Sequence, residues 1–198
     1  MSLNQPTILV TGGAGYVGSH TVLALKQAGY KVLVLDNLVN GHRDLVETVL
    51  KVELITGDIC DRALLDHIFA TRTIIAVIHF AAFAYVGESM VDPAPYYRNN
   101  VAGTLTLLEA MLAASIYRIV FSSTCATYGI PAILPIPEDH PQAPINPYGT
   151  SKLMVERMLA EFDNAYNLRS VCFRYFNRYG SIPRPLGRMR YSSLVGRC

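Results

Sequence analysis

Residues 7–18 read TILVTGGAGYVG. The first five are apolar or β-branched and run into glycines, which is typical of a short buried strand. The glycines satisfy two known spacings, G-x-G-x-x-G at Gly13, Gly15 and Gly18 and G-x-x-G-x-x-G at Gly12, Gly15 and Gly18. Such glycines permit a tight turn and close backbone approach, and the N-terminus of the following helix then favours a diphosphate. A bare glycine triplet can be a simple turn, but between a first strand and a first helix it indicates a dinucleotide site.

The rest of the chain alternates between strand and helix patterns. We expect a helix over residues 19–28 and further strands at 31–35, 52–56, 74–80, 118–121 and 169–175, with helices in the connections. This alternation predicts an α/β fold with a doubly wound parallel sheet, the Rossmann type. We expect a disordered lead over residues 1–6, one NAD-binding domain over 7–177, and an arginine-rich tail over 178–198.

Composition argues against several classes of protein. The formal net charge of +2 favours no particular partner, and the four cysteines lack metal-ligand or disulfide spacing, so we expect no metal. The N-terminus lacks a secretory pattern and no apolar run approaches a membrane span, so we expect a cytoplasmic protein with no membrane partner. The tail has five arginines but no recognisable nucleic-acid-binding pattern, so we expect it to be solvated and to bind no nucleic acid.

Two aspartates follow predicted strands. Asp36 ends the second strand 18 residues after Gly18, where a carboxylate can accept hydrogen bonds from both adenosine ribose hydroxyls and would repel a 2′-phosphate. This position favours NAD over NADP, although Asp36 could also be a turn or capping acid. Asp58 could bind an adenine amino group or cap the following helix, and the sequence leaves these two alternatives open.

Other residues are candidate site residues because of their positions relative to the predicted strands and helices. Asn99 and Asn100 lie within an apolar helical pattern, which predicts that one of them is buried and hydrogen-bonded. Thr124 follows the fifth strand, at the edge of the sheet where ligands of α/β proteins bind. A plain capping hydroxyl is the alternative for Thr124. Residues 130–147 hold six prolines and predict an irregular loop over the site.

Tyr148 and Lys152 are four residues apart on a predicted helix that begins at Asn146-Pro147. This spacing places the phenol and the ammonium on one face. We therefore expect Lys152 to lower the pKa of Tyr148, so that Tyr148 can act as a general base. A lone Tyr-x-x-x-Lys spacing is a weak signal, and two ordinary surface residues are the alternative.

Ten motifs, taken together in chain order, indicate a protein family more specifically than any one of them does. The sequence resembles the extended short-chain dehydrogenases/reductases, and within them the UDP-glucose 4-epimerases, from Thr7 to about Asn177. The motifs are Thr11–Gly18, Leu35–Leu38, Gly57–Ile59, His79–Ala82, Val86–Ser89, Tyr96–Asn100, Gly103–Leu105, Phe121–Gly129, Pro147–Lys152 and Arg174–Asn177.

The resemblance implies UDP-sugar C4 epimerisation with tightly bound NAD, and it is compatible with a homodimer. Tyr148 would take the proton from the sugar 4-hydroxyl while hydride passes to the nicotinamide and later returns to the other face of the sugar. Lys152 and Thr124 would complete the catalytic set, and Thr124, Tyr148 and Asn177 would contact the UDP-sugar. The implied cofactor contacts are Gly12, Gly15, Tyr16, Val17, Gly18, Asp36, Asn37, Asn40, Gly41, Asp58, Ile59, Phe80, Ala81, Ala82, Ala84, Asn99, Tyr148, Lys152 and Phe176.

Three departures from the family pattern matter. Ala84 stands where these proteins often have a lysine near the cofactor. Cys125 and Ala126 stand where related dehydratases carry an Asp-Glu pair, which argues against water elimination. After Asn177 the expected substrate-binding portion is largely missing, so we expect low epimerase activity. The alternative function is an inactive NAD-binding module.

Overall fold

The computed structural model of the chain describes residues 6–176. Six strands form one parallel sheet in the order β3-β2-β1-β4-β5-β6. The strand order reverses between β1 and β4, and ligands of such sheets bind outside the carboxyl ends of the strands at that point. The predicted doubly wound parallel sheet is confirmed. The strands are β1 Thr7–Thr11, β2 Lys31–Asp36, β3 Glu53–Thr56, β4 Ile74–His79, β5 Arg118–Thr124 and β6 Arg169–Tyr175.

Helices connect these strands. A π-helical segment, Tyr97–Gly103, joins α4 to α5 directly, and a second one, Leu45–Leu50, precedes β3. None of the helices in residues 6–176 is long and apolar enough to cross a membrane. The α-helices are α1 Tyr16–Gln27, α2 Arg62–Thr71, α3 Val86–Val91, α4 Ala94–Tyr96, α5 Thr104–Ala113 and α6 Pro147–Tyr166.

Two boundaries differ from the prediction by three residues, for identifiable reasons. We expected the first helix to begin at Ser19, but α1 begins at Tyr16 because Gly15 adopts the extended geometry of an N-cap, with φ −80° and ψ 175°. We expected the fifth strand to end at Phe121, but β5 continues to Thr124. The reason is that Ser122–Thr124 pair with Phe173–Tyr175 of β6.

The core has two layers, one on each face of the sheet. Alternate residues of β1 point to opposite faces, so that Leu9 packs with α2, α5 and α6 whereas Ile8 and Val10 pack with α1. On the edge strand β6, Val171 and Phe173 remain about half exposed, at 51% and 49%. The face of β6 that bears them is therefore less covered than the face that packs against α6.

A buried histidine connects the centre of the sheet to α5. His79 is 1% exposed, with Nδ1 2.6 Å from Thr11 Oγ1 and Nε2 2.8 Å from Thr104 Oγ1. Because the Thr104 hydroxyl donates its own proton to the Asn100 carbonyl oxygen at 2.6 Å, it must accept from Nε2–H. Because burial keeps the imidazole neutral, Nδ1 accepts from the Thr11 hydroxyl.

This histidine predicts a loss of stability in acid. Burial, helped by the charge of Lys152, lowers the pKa of His79 from 6.5 to about 3. Between these values the unfolded state binds a proton that the folded state excludes. The free energy of unfolding therefore decreases as the pH is lowered, by up to about 1.4 kcal/mol per pH unit. Urea unfolding between about pH 7.5 and 4.5 measures this slope. His79→Gln should flatten the slope, and an equally steep slope in that variant would contradict the assignment.

Candidate active site

The glycine-rich turn leaves an open cradle at the start of α1. A Cβ on Gly12 would lie 2.5 Å from Ala81 N, and one on Gly18 would lie 2.2 Å from Gly12 O, so neither position has room for a side chain. A Cβ on Gly15 would meet only Gly12 O, at 3.4 Å. Gly15 is also the N-cap of α1, and no described side chain caps this helix. The helix N-terminus therefore remains available to an anion.

A cleft of about 600 Å³, open to solvent, lies beside this cradle. Eleven predicted cofactor residues line it, and Leu35 and Gly57, which the prediction did not include, line it as well. The eleven are Gly12, Gly15, Asp36, Asn37, Asn40, Gly41, Ile59, Phe80, Ala81, Ala82 and Asn99.

The other predicted contacts do not line this cleft. Phe176 lines a second cleft beside β6, together with Phe173 and Arg174. Asn177 lies outside the described residues. The remaining predicted cofactor residues are Tyr16, Val17, Gly18, Asp58, Ala84, Tyr148 and Lys152. Within residues 6–176, no group of three His, Cys, Asp or Glu side chains could hold a metal ion.

Asp36 has a structural role in addition to the predicted one. Its Oδ2 accepts from Ala14 N and its Oδ1 from Leu38 N, both at 2.9 Å. The carboxylate thus ties the glycine-rich turn to the end of β2 and also forms the turn that follows. Each oxygen retains a lone pair, so the side chain can still accept two hydroxyl groups.

Asp58 does not cap α2. The N-cap is Asp61, whose Oδ1 accepts from Leu64 N at 3.0 Å. Asp58 instead accepts from Cys60 N at 2.8 Å and from Asn37 Nδ2 at 3.1 Å. Burial raises the pKa of Asp58, but these hydrogen bonds outweigh it and lower the pKa overall. Of the two alternatives, capping is wrong, and adenine contact stays a prediction.

The prediction of one buried asparagine is confirmed at Asn100, which is 2% exposed. Its Oδ1 accepts from Phe83 N at 2.9 Å, and its Nδ2 donates to Phe83 O at 3.0 Å and to Ser151 Oγ at 3.1 Å. Asn100 therefore joins the π-helical segment, the loop after β4 and the start of α6. These are the elements that surround the cleft and carry Tyr148.

Tyr148, Thr124 and Lys152 come together at the carboxyl end of β5. Asn146 caps α6, because its Oδ1 accepts a hydrogen bond from Gly149 N at 2.8 Å, and Pro147 occupies the first turn of the helix. The Tyr148 and Thr124 side chains share a hydrogen bond. Lys152 is 3% exposed, and its Nζ donates to Ser122 O at 2.9 Å.

The electrostatics differ from the expectation that Lys152 lowers the pKa of Tyr148. Burial raises the pKa of Tyr148, and the hydrogen bond with Thr124 only partly opposes this. Burial also lowers the pKa of Lys152 to about 7, against the opposing charge of Glu156. Nζ faces the Ser122 carbonyl and lies 4.7 Å from the Phe121 ring centroid. In this structure, burial therefore decides both pKa values.

The sequence profile of the NAD dependent epimerase/dehydratase family matches residues 8–197. The chain belongs to this family. Among its relatives, the UDP-glucose 4-epimerase of Rhizobium leguminosarum bv. trifolii is 54% identical over 175 residues, which is 88% of this chain and 53% of that protein. The chain spans about half the length of the curated relatives that it matches.

Solved structures of the epimerase/dehydratase family agree with the fold. UDP-glucose 4-epimerase from Brucella ovis in complex with NAD is 51% identical, with a TM-score of 0.83 over 87% of this chain and 52% of that one. The Stenotrophomonas maltophila UDP-glucose 4-epimerase, solved with NAD and formylated UDP-arabinopyranose, is 37% identical. Its TM-score is 0.83 over 86% of this chain and 53% of that one.

The buried hydrogen bonds of Asn100 predict that substitution of its side chain lowers the free energy of unfolding. Asn100→Ala would leave Phe83 N and Phe83 O without their side-chain partner and would remove the donor to Ser151 Oγ, which keeps its bond to Tyr148 O. We therefore expect a loss of about 2–4 kcal/mol in unfolding free energy. Asn99→Ala is the matched control, because Asn99 Nδ2 only donates to Asn100 Oδ1. Chemical denaturation measures both variants. Equal losses would show that Asn100 has no special structural role.

Proposed function

We propose that the chain binds NAD and carries the proton-transfer residues of UDP-sugar C4 epimerisation. The observation that supports this most directly is the meeting of Tyr148, Thr124 and Lys152 at the sheet edge that also forms the glycine cradle. The UDP-glucose 4-epimerase relatives and the NAD complex of a structural neighbour support the same reaction and cofactor.

The cradle and the cleft suit a dinucleotide. Gly12 and Gly18 are the residues that allow the turn to fold this tightly, and Gly15 leaves the N-terminus of α1 open to a diphosphate. Asp36 can accept two ribose hydroxyls with its remaining lone pairs, and its charge disfavours a 2′-phosphate. Small residues after β4, Ala81 and Ala82, let a flat ring approach the backbone.

In the reaction, bound NAD would supply the hydride acceptor and donor that inversion at C4 requires. Thr124 and Tyr148 present two hydroxyls at one point, where they can hold the sugar 4-oxygen and receive its proton. Lys152, with a pKa of about 7, can accept a proton at neutral pH. Transfer of the Tyr148 proton to Lys152 would give phenolate and ammonium without changing the net charge of the buried site.

A second candidate is an NAD-binding module without epimerase activity. The observation that favours it is that the matched region covers only about half of each relative. This candidate shares the cofactor site with the first one and differs only in the predicted turnover. A comparison of cofactor binding with sugar conversion therefore separates the two.

The cofactor preference is testable at Asp36. We expect the chain to bind NAD at least about tenfold more tightly than NADP, because the Asp36 carboxylate would repel a 2′-phosphate. Asp36→Asn should weaken NAD binding and narrow this ratio, as measured by calorimetric titration. Asp44→Asn, at an exposed position nearby, is the control with the same charge change. Equal affinity of the native chain for both cofactors would contradict the assignment.

The catalytic role is testable at Tyr148. We expect Tyr148→Phe to lower conversion of UDP-galactose to UDP-glucose by about a hundredfold or more. In the native chain, turnover should rise as pH is raised through about 7, since the Tyr148–Lys152 pair must lose one proton to supply a base. Tyr166→Phe, an exposed tyrosine on the same helix, should retain full turnover. NAD binding without any conversion would favour the inactive module, and absence of NAD binding would contradict both candidates.

A further inference from the structure

Three side chains along one face of α6 each bond to the end of β5. Tyr148, Lys152 and Glu156 are spaced by four residues and so share a helix face. Tyr148 bonds with the Thr124 side chain, and Lys152 Nζ donates to Ser122 O at 2.9 Å. The third bond has no part in the proposed proton transfer: the Ser123 hydroxyl donates to Glu156 Oε1.

Glu156 also bonds to two further elements. Its side chain is 8% exposed, and Oε2 accepts from Gln142 Nε2 at 2.9 Å and from Arg174 Nη2 at 2.8 Å. Gln142 belongs to the proline-rich loop and Arg174 to β6. One buried carboxylate therefore joins α6, β5, β6 and the loop, and its hydrogen bonds offset the cost of burying its charge.

Arg174 extends this connection along the loop. Its Nη1 donates to Tyr128 Oη at 2.8 Å and to Glu138 O at 3.0 Å, and its guanidinium carbon lies 5.1 Å from the Tyr128 ring centroid. Tyr128 ends the short 3₁₀ turn that follows Thr124. The segments on both sides of Thr124 are thus held by the same Glu156–Arg174 ion pair.

Building on the proposed function, we propose that Glu156 is a positioning residue, which holds β5 and the proline-rich loop against α6 and so sets Thr124 opposite Tyr148. Glu156 is not in contact with the cleft, so it acts through Ser123 and Arg174. Without it, Thr124 and Tyr148 would still be present, but Ser123 and Gln142 would lose their hydrogen bonds to the helix face, and the strand end would be held there only through Lys152 and Tyr148. Small displacements of reacting groups have large effects on rate.

The charge of Glu156 gives this role a second consequence. The titratable groups that act on Lys152 and Glu156 are His79 on β4, and Cys172 and Arg174 on β6, while Tyr148 lies one helical turn before Lys152 on α6. Glu156 raises the pKa of Lys152, against the larger effect of burial. Loss of the carboxylate should therefore lower the pKa of Lys152 further.

Hydrogen exchange on the full chain tests the positioning role without any substrate. In Glu156→Gln we expect the amides of residues 122–128 and 138–146 to exchange at least about tenfold faster, while those of β1 and β2 keep their rates. Ser123→Ala removes only the bond to β5, so it should affect residues 122–128 and spare 138–146. Glu161→Gln, exposed on the same helix, is the control. Faster exchange throughout the chain, or none in either segment, would overturn the proposal.

Two further measurements separate positioning from simple packing. The sequence has four lysines, so ¹³C-lysine NMR can follow Lys152, assigned through Lys152→Met; its titration should move to lower pH in Glu156→Gln. Turnover should fall about tenfold in Glu156→Gln, with NAD affinity within about twofold of native. An unchanged Lys152 titration, or native turnover in this variant, would contradict the proposal. If the native chain converts no UDP-sugar, the proposed function fails, and exchange and titration still decide the role of Glu156.

Discussion

The contact between α6 and the carboxyl end of β5 is the constraint on which the rest of the site depends. It brings two charged side chains, Lys152 and Glu156, into a region with almost no solvent. Burial of either charge is costly unless hydrogen bonds compensate. Lys152 has the Ser122 carbonyl, and Glu156 has Ser123, Gln142 and Arg174. The polar site is therefore stable only when strand, helix and loop are assembled together.

Much of the fold could be predicted because it follows from short-range patterns. The apolar run before Gly12 is typical of a buried strand. The alternation of strands with helices predicts a parallel sheet. The burial of one asparagine at positions 99–100 could also be predicted, since a polar residue within an apolar helical pattern needs a partner. That partner, the backbone of Phe83, lies 17 residues away and could not be predicted from spacing.

The features that the sequence did not reveal depend on which groups meet across elements. The pKa of Tyr148 follows from how deeply α6 packs, and helix spacing alone carries no information on burial. Asp58 and Asp61 both stand just ahead of α2 in the sequence, and the hydrogen bond from Leu64 N to Asp61 Oδ1 identifies Asp61 as the cap. Glu156 looks like one of several acidic residues on α6, because the four elements that it joins come from distant parts of the chain. The predictions for Asn177 and for residues 178–198 lie outside the described residues.

Asp36 would link the proposed cofactor specificity to folding. The same carboxylate that would choose between cofactors already anchors Ala14 and Leu38. A change toward a smaller or basic residue, as a redesign for phosphorylated cofactors would require, would also release the glycine-rich turn. The proposed cofactor preference would thus be tied to the fold of this turn, and altering it would mean rebuilding the surrounding loop rather than exchanging a single residue.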